Sequence, residues 1–270
     1  MKKVVIVLNL VVLFTVSCVK NEEETQQVSD VISTPCKQGI LKSGDISDKI
    51  DVEFTNKGVQ ITHYNFEVPC DFTTVNVTHT FENGVLHITQ QGSTNQEDCV
   101  CCTDVSYTID GIVQNEVYVI YINGKQVYCH IEKNDEDIDP INVQYIEKFG
   151  SSQGVAISTI SAKNELEQYY ESYVKCIYNS PTGQFIDATE IYSDDFFANN
   201  FLVIVQFSES SGSISHKVEK IDKNGNIIIS RFIPKWMTHD IKKWIIIIEL
   251  NNSFMLEQFR PVFVEKLYEM

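Results

Sequence analysis

Six cysteines, Cys36, Cys70, Cys99, Cys101, Cys102 and Cys129, fall within fewer than 100 residues of one another. Two chemistries compete for them. Tetrahedral zinc is usually gripped by paired Cys-x-x-Cys knuckles, and Cys99-Val100-Cys101-Cys102 spaces its thiols too closely for a good bite. The other chemistry is oxidation, with Cys70 bridging to the Cys99, Cys101 and Cys102 cluster; free buried thiols are the third reading. A second polar group is Ser211-Gly212-Ser213-Ile214-Ser215-His216. Read as a strand, Ser215 and His216 point to opposite faces, which argues against a nucleophile and its base. Ser211, Ser213 and Ser215 then share one face, suited to solvent, to hydrogen bonding at a rim or to a glycan. His239-Asp240 beside Trp236 is another polar and aromatic cluster, and Asp194-Asp195 read as acids complementing a helix start. No Gly-x-Ser-x-Gly, His-Glu-x-x-His, P-loop or dinucleotide fingerprint occurs, so no catalytic residues, metal ligands or cofactor are assigned.

The compartment decides between the thiol chemistries. Lys2 and Lys3 precede residues 4–16, which are apolar except for Asn9 and Thr15, and Ser17-Cys18 follows. That is the layout of a secretory signal and is too short to span a bilayer comfortably. The cysteine at the cleavage point resembles a bacterial lipoprotein signal, with Ser-Cys ending a relaxed lipobox of the Bacteroidetes type and Thr15 where a Leu is usual. The resemblance implies that residues 1–17 are removed and that Cys18 carries the lipid that holds the chain on the outer membrane, periplasmic or surface-exposed. Residues 18–35 are polar and acidic and are expected to form a flexible tether. Lys20 followed by Glu22, Glu23 and Glu24 resembles the acidic signal for transfer to the outer face, and equally reads as a solvated charge run. Export favours disulfides over thiolate–metal chemistry.

Loss of Lys2 and Lys3 moves the formal charge from −16 to −18. Residues 18–150 hold 8 Lys and no Arg against 22 acids, and residues 151–270 hold 11 basic against 15 acidic residues. Neither half offers the basic stripe that a phosphate backbone requires, which excludes nucleic acid as a partner. The asymmetry favours two domains, with a solvated linker over 134–152 whose first residues pack four acids and Pro140 into a short run.

Residues 36–133 read as an all-β antiparallel sandwich. Residues 59–68 alternate apolar and polar types, with a change of register near Tyr64, and Asn83-Gly84 and Asn123-Gly124 are strong hairpin signals. Residues 99–109 resemble a Cys-rich segment running into an Asp-x-x-Tyr strand found in Bacteroides-type lipoproteins, which implies a strand tied down by its cysteines.

Residues 153–270 read as α+β, one amphipathic helix on an antiparallel sheet. Leu166, Tyr169, Tyr170, Tyr173, Val174 and Ile177 recur at helical steps, with Ser161 placed to cap. The apolar run 201–207, the hairpin Asn224-Gly225 and the run 244–250 follow. This order resembles the C-terminal domain of a protease-complex family, the accessory lipoprotein subunits of dentilisin-type surface proteases, over about residues 160–252. Only Ser211 and Gly212 correspond to that family's Thr-Gly-Gly-Tyr-like turn. The expectation is a non-catalytic lipoprotein serving as an accessory or interaction subunit, with an envelope or surface protein as partner. The alternative is a glycan- or small-ligand-binding lipoprotein using Ser211, Gly212, Ser213, Ser215, His216, Trp236 and Trp244.

Overall fold

A computed structural model of the chain describes residues 25–37, 48–93, 99–149, 154–174 and 191–267. Cys18, the signal, the first part of the tether and Ile177 lie outside the described residues. The chain is mostly β. Its strands are β1 (Gln26–Gln27), β2 (Ile32–Ser33), β3 (Lys49–Phe54), β4 (Gly58–Pro69), β5 (Val75–Glu82), β6 (Val85–Gly92), β7 (Val100–Asp110), β8 (Val119–Ile122) and β9 (Lys125–Cys129) in the first half. In the second half come β10 (Asn142–Phe149), β11 (Ala156–Ile160), α1 (Lys163–Tyr169), α2 (Asp194–Phe197), β12 (Asn200–Glu209), β13 (Ser215–Ile221), β14 (Asn226–Ile233), β15 (Lys242–Asn251) and β16 (Arg260–Leu267).

The first half is a sandwich of sheet β1-β5-β6-β8-β9 on sheet β2-β7-β4-β3. Alternation builds its core: Val59 and Ile61 of β4, Leu86 and Ile88 of β6, and Val105, Tyr107 and Ile109 of β7 meet between the sheets. Local turn chemistry sets the register. Asn83-Gly84 and Asn123-Gly124 both take positive φ, as the primed two-residue hairpin turn requires. The register change in β4 falls between His63 and Phe66, where Asn65 adopts φ 59°. The sandwich departs from the antiparallel expectation in one pair, because β6 and β8 run parallel. The tether expectation also changes. Gln26–Gln27 and Ile32–Ser33 add short edge strands to the two sheets, and Val28 buries between them, so ordering this stretch is offset by ladder bonds and apolar burial.

In the second half the sheet β10-β15-β12-β11 is wholly antiparallel. One of its faces carries Leu202, Ile204, Ile245 and Ile247 against Leu166 and Tyr169 of α1 and Phe197 of α2. α1 is shorter than its sequence stripe, since the chain passes into a π-helical turn at Tyr170–Val174. Ala162 occupies the N-cap position, while Ser161 donates through its backbone N and its Oγ to Glu165 Oε2 (2.7 and 3.0 Å). Ser193 caps α2, with Asp194 and Asp195 in the first turn as expected. The other face of the sheet packs Phe201, Val203, Val205, Trp244, Ile246 and Ile248 on a second sheet, β13-β14-β16, through Ile227 and Ile229. This second sheet, with its parallel β14–β16 pair, is the departure from one antiparallel sheet.

The outer face of β14 and β16, through Ile228, Val262 and Val264, meets Val119, Val85 and Tyr121 of the sandwich. Five layers therefore stack: two sandwich sheets, the three-stranded sheet, the four-stranded sheet and the helices. The seam is also hydrogen-bonded, with Tyr121 OH donating to Phe263 O (3.0 Å) and Gln126 exchanging bonds with Glu265 backbone (2.7 and 2.8 Å). Part of the expected linker is docked rather than solvated. Ile138 is buried and bridges to Ile221, and the Asp137 carboxylate lies 3.2 Å from Lys220 with both side chains 4% exposed.

Candidate functional site

The serine turn and the Trp236 loop come together at one end of the second half. Residues 210–214 link β12 to β13 and residues 234–241 link β14 to β15. Ser211, Gly212 and Ser213 form a turn rather than a strand continuation, which corrects the shared-face reading; β13 begins only at Ser215. Nor is the turn a row of solvent-facing hydroxyls. Ser211 is buried, and its Oγ shares hydrogen bonds with Ser213 Oγ (2.7 Å) and Thr238 Oγ1 (3.0 Å). Thr238 N donates to Ser213 Oγ (3.3 Å), and Gly212 N donates to Asp240 Oδ1 (3.0 Å). A Thr238 hydrogen bond to Asp240, and next the Gly212 amide, hold the Asp240 carboxyl below its usual range. Gly212 leaves room for the Asp240 carboxylate: a Cβ there would sit 2.3 Å from Asp240 Oδ2, so the Asp240 and Lys242 side-chain ends would have to swing aside.

This bracing raises a loop whose apolar side chains have no core to join. Trp236 is 81% exposed, Met237 55% and Ile241 52%, three large apolar groups within six residues. Lys235 Nζ stands 6.0 Å from the Trp236 ring centroid, a cation–π approach at a wet site. The arrangement has little to offer nucleophilic chemistry, because Ser211, Ser213 and Thr238 exchange hydroxyl bonds and none of those bonds involves a histidine ring.

The remaining sequence candidates lie elsewhere. Trp244 is a core residue, 8% exposed between the sheets, so it has no surface for a ligand. His216 is buried edge-on between Phe207 and Trp244, both with centroids 4.7 Å away, and its Nε2 pairs with Glu209 Oε1 at 2.8 Å. Arg231 grips Glu209 with two bonds of 2.7 Å and reaches Glu265 at 2.8 Å. Burial alone would push the Glu209 carboxyl up, yet His216 and Arg231 together hold it at about 2. Ser215 is half-buried at the start of β13 beside this cluster. Asp240 belongs to the His239-Asp240 cluster noted beside Trp236, whereas Thr238, Met237 and Ile241 are not legible as site residues in the sequence; the available signal for the last two is apolar types in a run that neither alternates nor keeps a helical step.

Two disulfides form, Cys70–Cys99 and Cys36–Cys101, with Cα separations of 5.3 and 5.8 Å inside the usual range. They tie the end of β4 and the segment before β3 to β7. Cys102 is a buried free thiol, and Cys129 is free with its thiol pushed up by burial. The sulfurs of Cys36, Cys70 and Cys101 lie within 4.8 Å of one another, and all three belong to the disulfides. No helix among the described residues is long and apolar enough to cross a membrane.

Compared with known proteins, the chain matches no family model, no curated protein and no solved structure.

Proposed function

We propose that this chain is a non-catalytic, lipid-anchored protein of the bacterial outer membrane that acts as an accessory or interaction subunit. The carrying observation is the braced loop that displays Trp236, Met237 and Ile241 to solvent. Such a cluster loses free energy in water at roughly 25 cal/mol per Å² of apolar surface, and a protein partner that covers it recovers that term. Trp, Met and other large apolar side chains are also the types that anchor interface centres. The Ser17-Cys18 signal supports the lipid anchor. The resemblance over residues 160–252 to the accessory lipoproteins of dentilisin-type protease complexes supports a protease or another envelope protein as the partner. Within this reading the sandwich and the α+β half are two domains, with the second carrying the docking loop.

A second reading, a surface glycan-binding lipoprotein, draws support from the exposed Trp236 ring beside a hydroxyl-rich turn. Affinity capture from intact cells with wild type and with Trp236→Ala plus Met237→Ser separates the two. The subunit reading predicts one stoichiometric protein that disappears with the double variant. Recovery of the protein alone, together with Trp236-dependent binding on a glycan array, would replace it with the second.

A further inference from the structure

The bridged cysteines meet on one face of one sheet. Cys99 just precedes β7 and Cys101 lies two residues on, a spacing that turns both side chains to the same side, while Cys102 points to the other. β4 flanks β7 on one side and ends beside Cys70, whose backbone N donates to Cys99 O (2.9 Å). On the other side runs the segment after β2, where Lys37 bridges to Cys102 and brings in Cys36. Neighbouring stretches of chain about 4.8 Å apart therefore deliver Cys36, Cys70, Cys99 and Cys101 to one place.

The bonds Cys36–Cys101 and Cys70–Cys99 account for only part of this crowding. The Cys70 sulfur is bonded to neither Cys36 nor Cys101, yet it lies within 4.8 Å of both of their sulfurs, and Cys99 joins the group through its bond to Cys70. Thiolates around a tetrahedral zinc, with Zn–S of about 2.3 Å, stand roughly 3.8 Å from one another, so a trio held within 4.8 Å is already near that spacing. The strands thus supply the bite that Cys99-Val100-Cys101-Cys102 lacks alone, and Cys102 takes no part. The group holds sulfur only, a ligand set that selects a thiophilic ion over calcium or magnesium. Solvent reaches it, because Cys99 is exposed and Cys36 and Cys70 are half-buried, with Cys101 as the floor.

We propose that these cysteines form a redox-gated zinc site. Oxidised, they are two disulfides, the resting state of an exported chain. Reduced, Cys36, Cys70, Cys99 and Cys101 hold one Zn²⁺ as thiolates. Both S–S bonds break by exchange with two molecules of a dithiol reductant, which give up four electrons and four protons and leave as cyclic disulfides; zinc then displaces the protons from the four thiols. None of these ligands belongs to the 234–241 loop, so the site is independent of the docking reading.

The test is anaerobic titration of the full chain in detergent, reduced with a phosphine so that no added thiol competes, with Co²⁺ and then Zn²⁺. One Co²⁺ per chain is expected, with the sulfur-to-cobalt charge-transfer and ligand-field bands of a tetrahedral thiolate site, displaced by Zn²⁺ with a Kd of about 10 nM or tighter. The oxidised chain shows no such bands. Cys101→Ser and the less buried Cys70→Ser each weaken zinc about a hundredfold or more, beyond the loss of an outer-shell partner, while Cys102→Ser and Cys129→Ser leave it unchanged. The reduced chain with zinc melts cooperatively and at a higher temperature than without it, as binding to the folded state requires. A reduced chain without the tetrahedral cobalt bands, bands that survive Cys70→Ser and Cys101→Ser, bands lost with Cys102→Ser or Cys129→Ser, or zinc uptake with no cooperative melt would each overturn the assignment.

Discussion

Replacing Glu209 by Gln removes the negative centre of the His216–Glu209–Arg231 cluster while keeping the side chain's shape, and its effect depends on pH in a calculable way. The Glu209 side chain is 5% exposed, and its carboxyl is held at about 2 against an ordinary 4.5. A carboxyl depressed by folding adds stability that is complete above its unfolded value and is lost as pH falls toward the folded one. Between 4.5 and about 2 the linkage is worth about 3 kcal/mol at pH 7. Taking Gln as the equivalent of protonated Glu, the wild-type advantage stays near 3 kcal/mol at pH 5 and shrinks to roughly 1 kcal/mol at pH 3. Urea denaturation of wild type and Glu209→Gln at pH 7, 5 and 3 reads this directly, with equal m-values as the condition for comparison. A difference that does not change between pH 7 and pH 3, or one well under 1 kcal/mol at pH 7, refutes the claim that Arg231 and His216 stabilise an ionised Glu209.

Non-reducing peptide mapping is expected to return Cys36–Cys101 and Cys70–Cys99. Their loops of 65 and 29 residues give about 4 kcal/mol of stabilisation each by the chain-entropy relation, so reduction lowers the sandwich's denaturation midpoint sharply. Cys18→Ala is expected to release the chain from the membrane fraction in soluble form, and a variant that stays membrane-bound refutes the anchor. Gly212→Val pushes the Asp240 carboxylate aside and breaks its bond from Gly212 N; limited proteolysis is expected to cut the 234–241 loop faster, with global stability lowered by only about 0.5 kcal/mol.

How much of this was legible in the sequence follows from how local each determinant is. The Asn-Gly hairpins, the β4 irregularity near Tyr64 and the apolar runs of β12 and β15 are written in neighbouring residues and came through. The parallel pairs β6–β8 and β14–β16 join segments separated by other elements, and nothing in a single strand encodes its non-local neighbour. Cys70 bridging into the Cys99 cluster was readable from crowding, but the choice of Cys99 and the Cys36–Cys101 bond depend on how β7 lies beside β4. Trp244 was recoverable: it shares the even-numbered face with Ile246, Ile248 and Leu250, which marks it as core rather than ligand surface.

The most direct measurement is site-specific photo-crosslinking in intact cells, with the reactive group at Met237 and, as control, at Lys57 in the exposed turn between β3 and β4. Docking through the Trp236 loop predicts one envelope protein joined in near-stoichiometric yield from Met237 and none from Lys57. No adduct from Met237, or the same products from both positions, would contradict it.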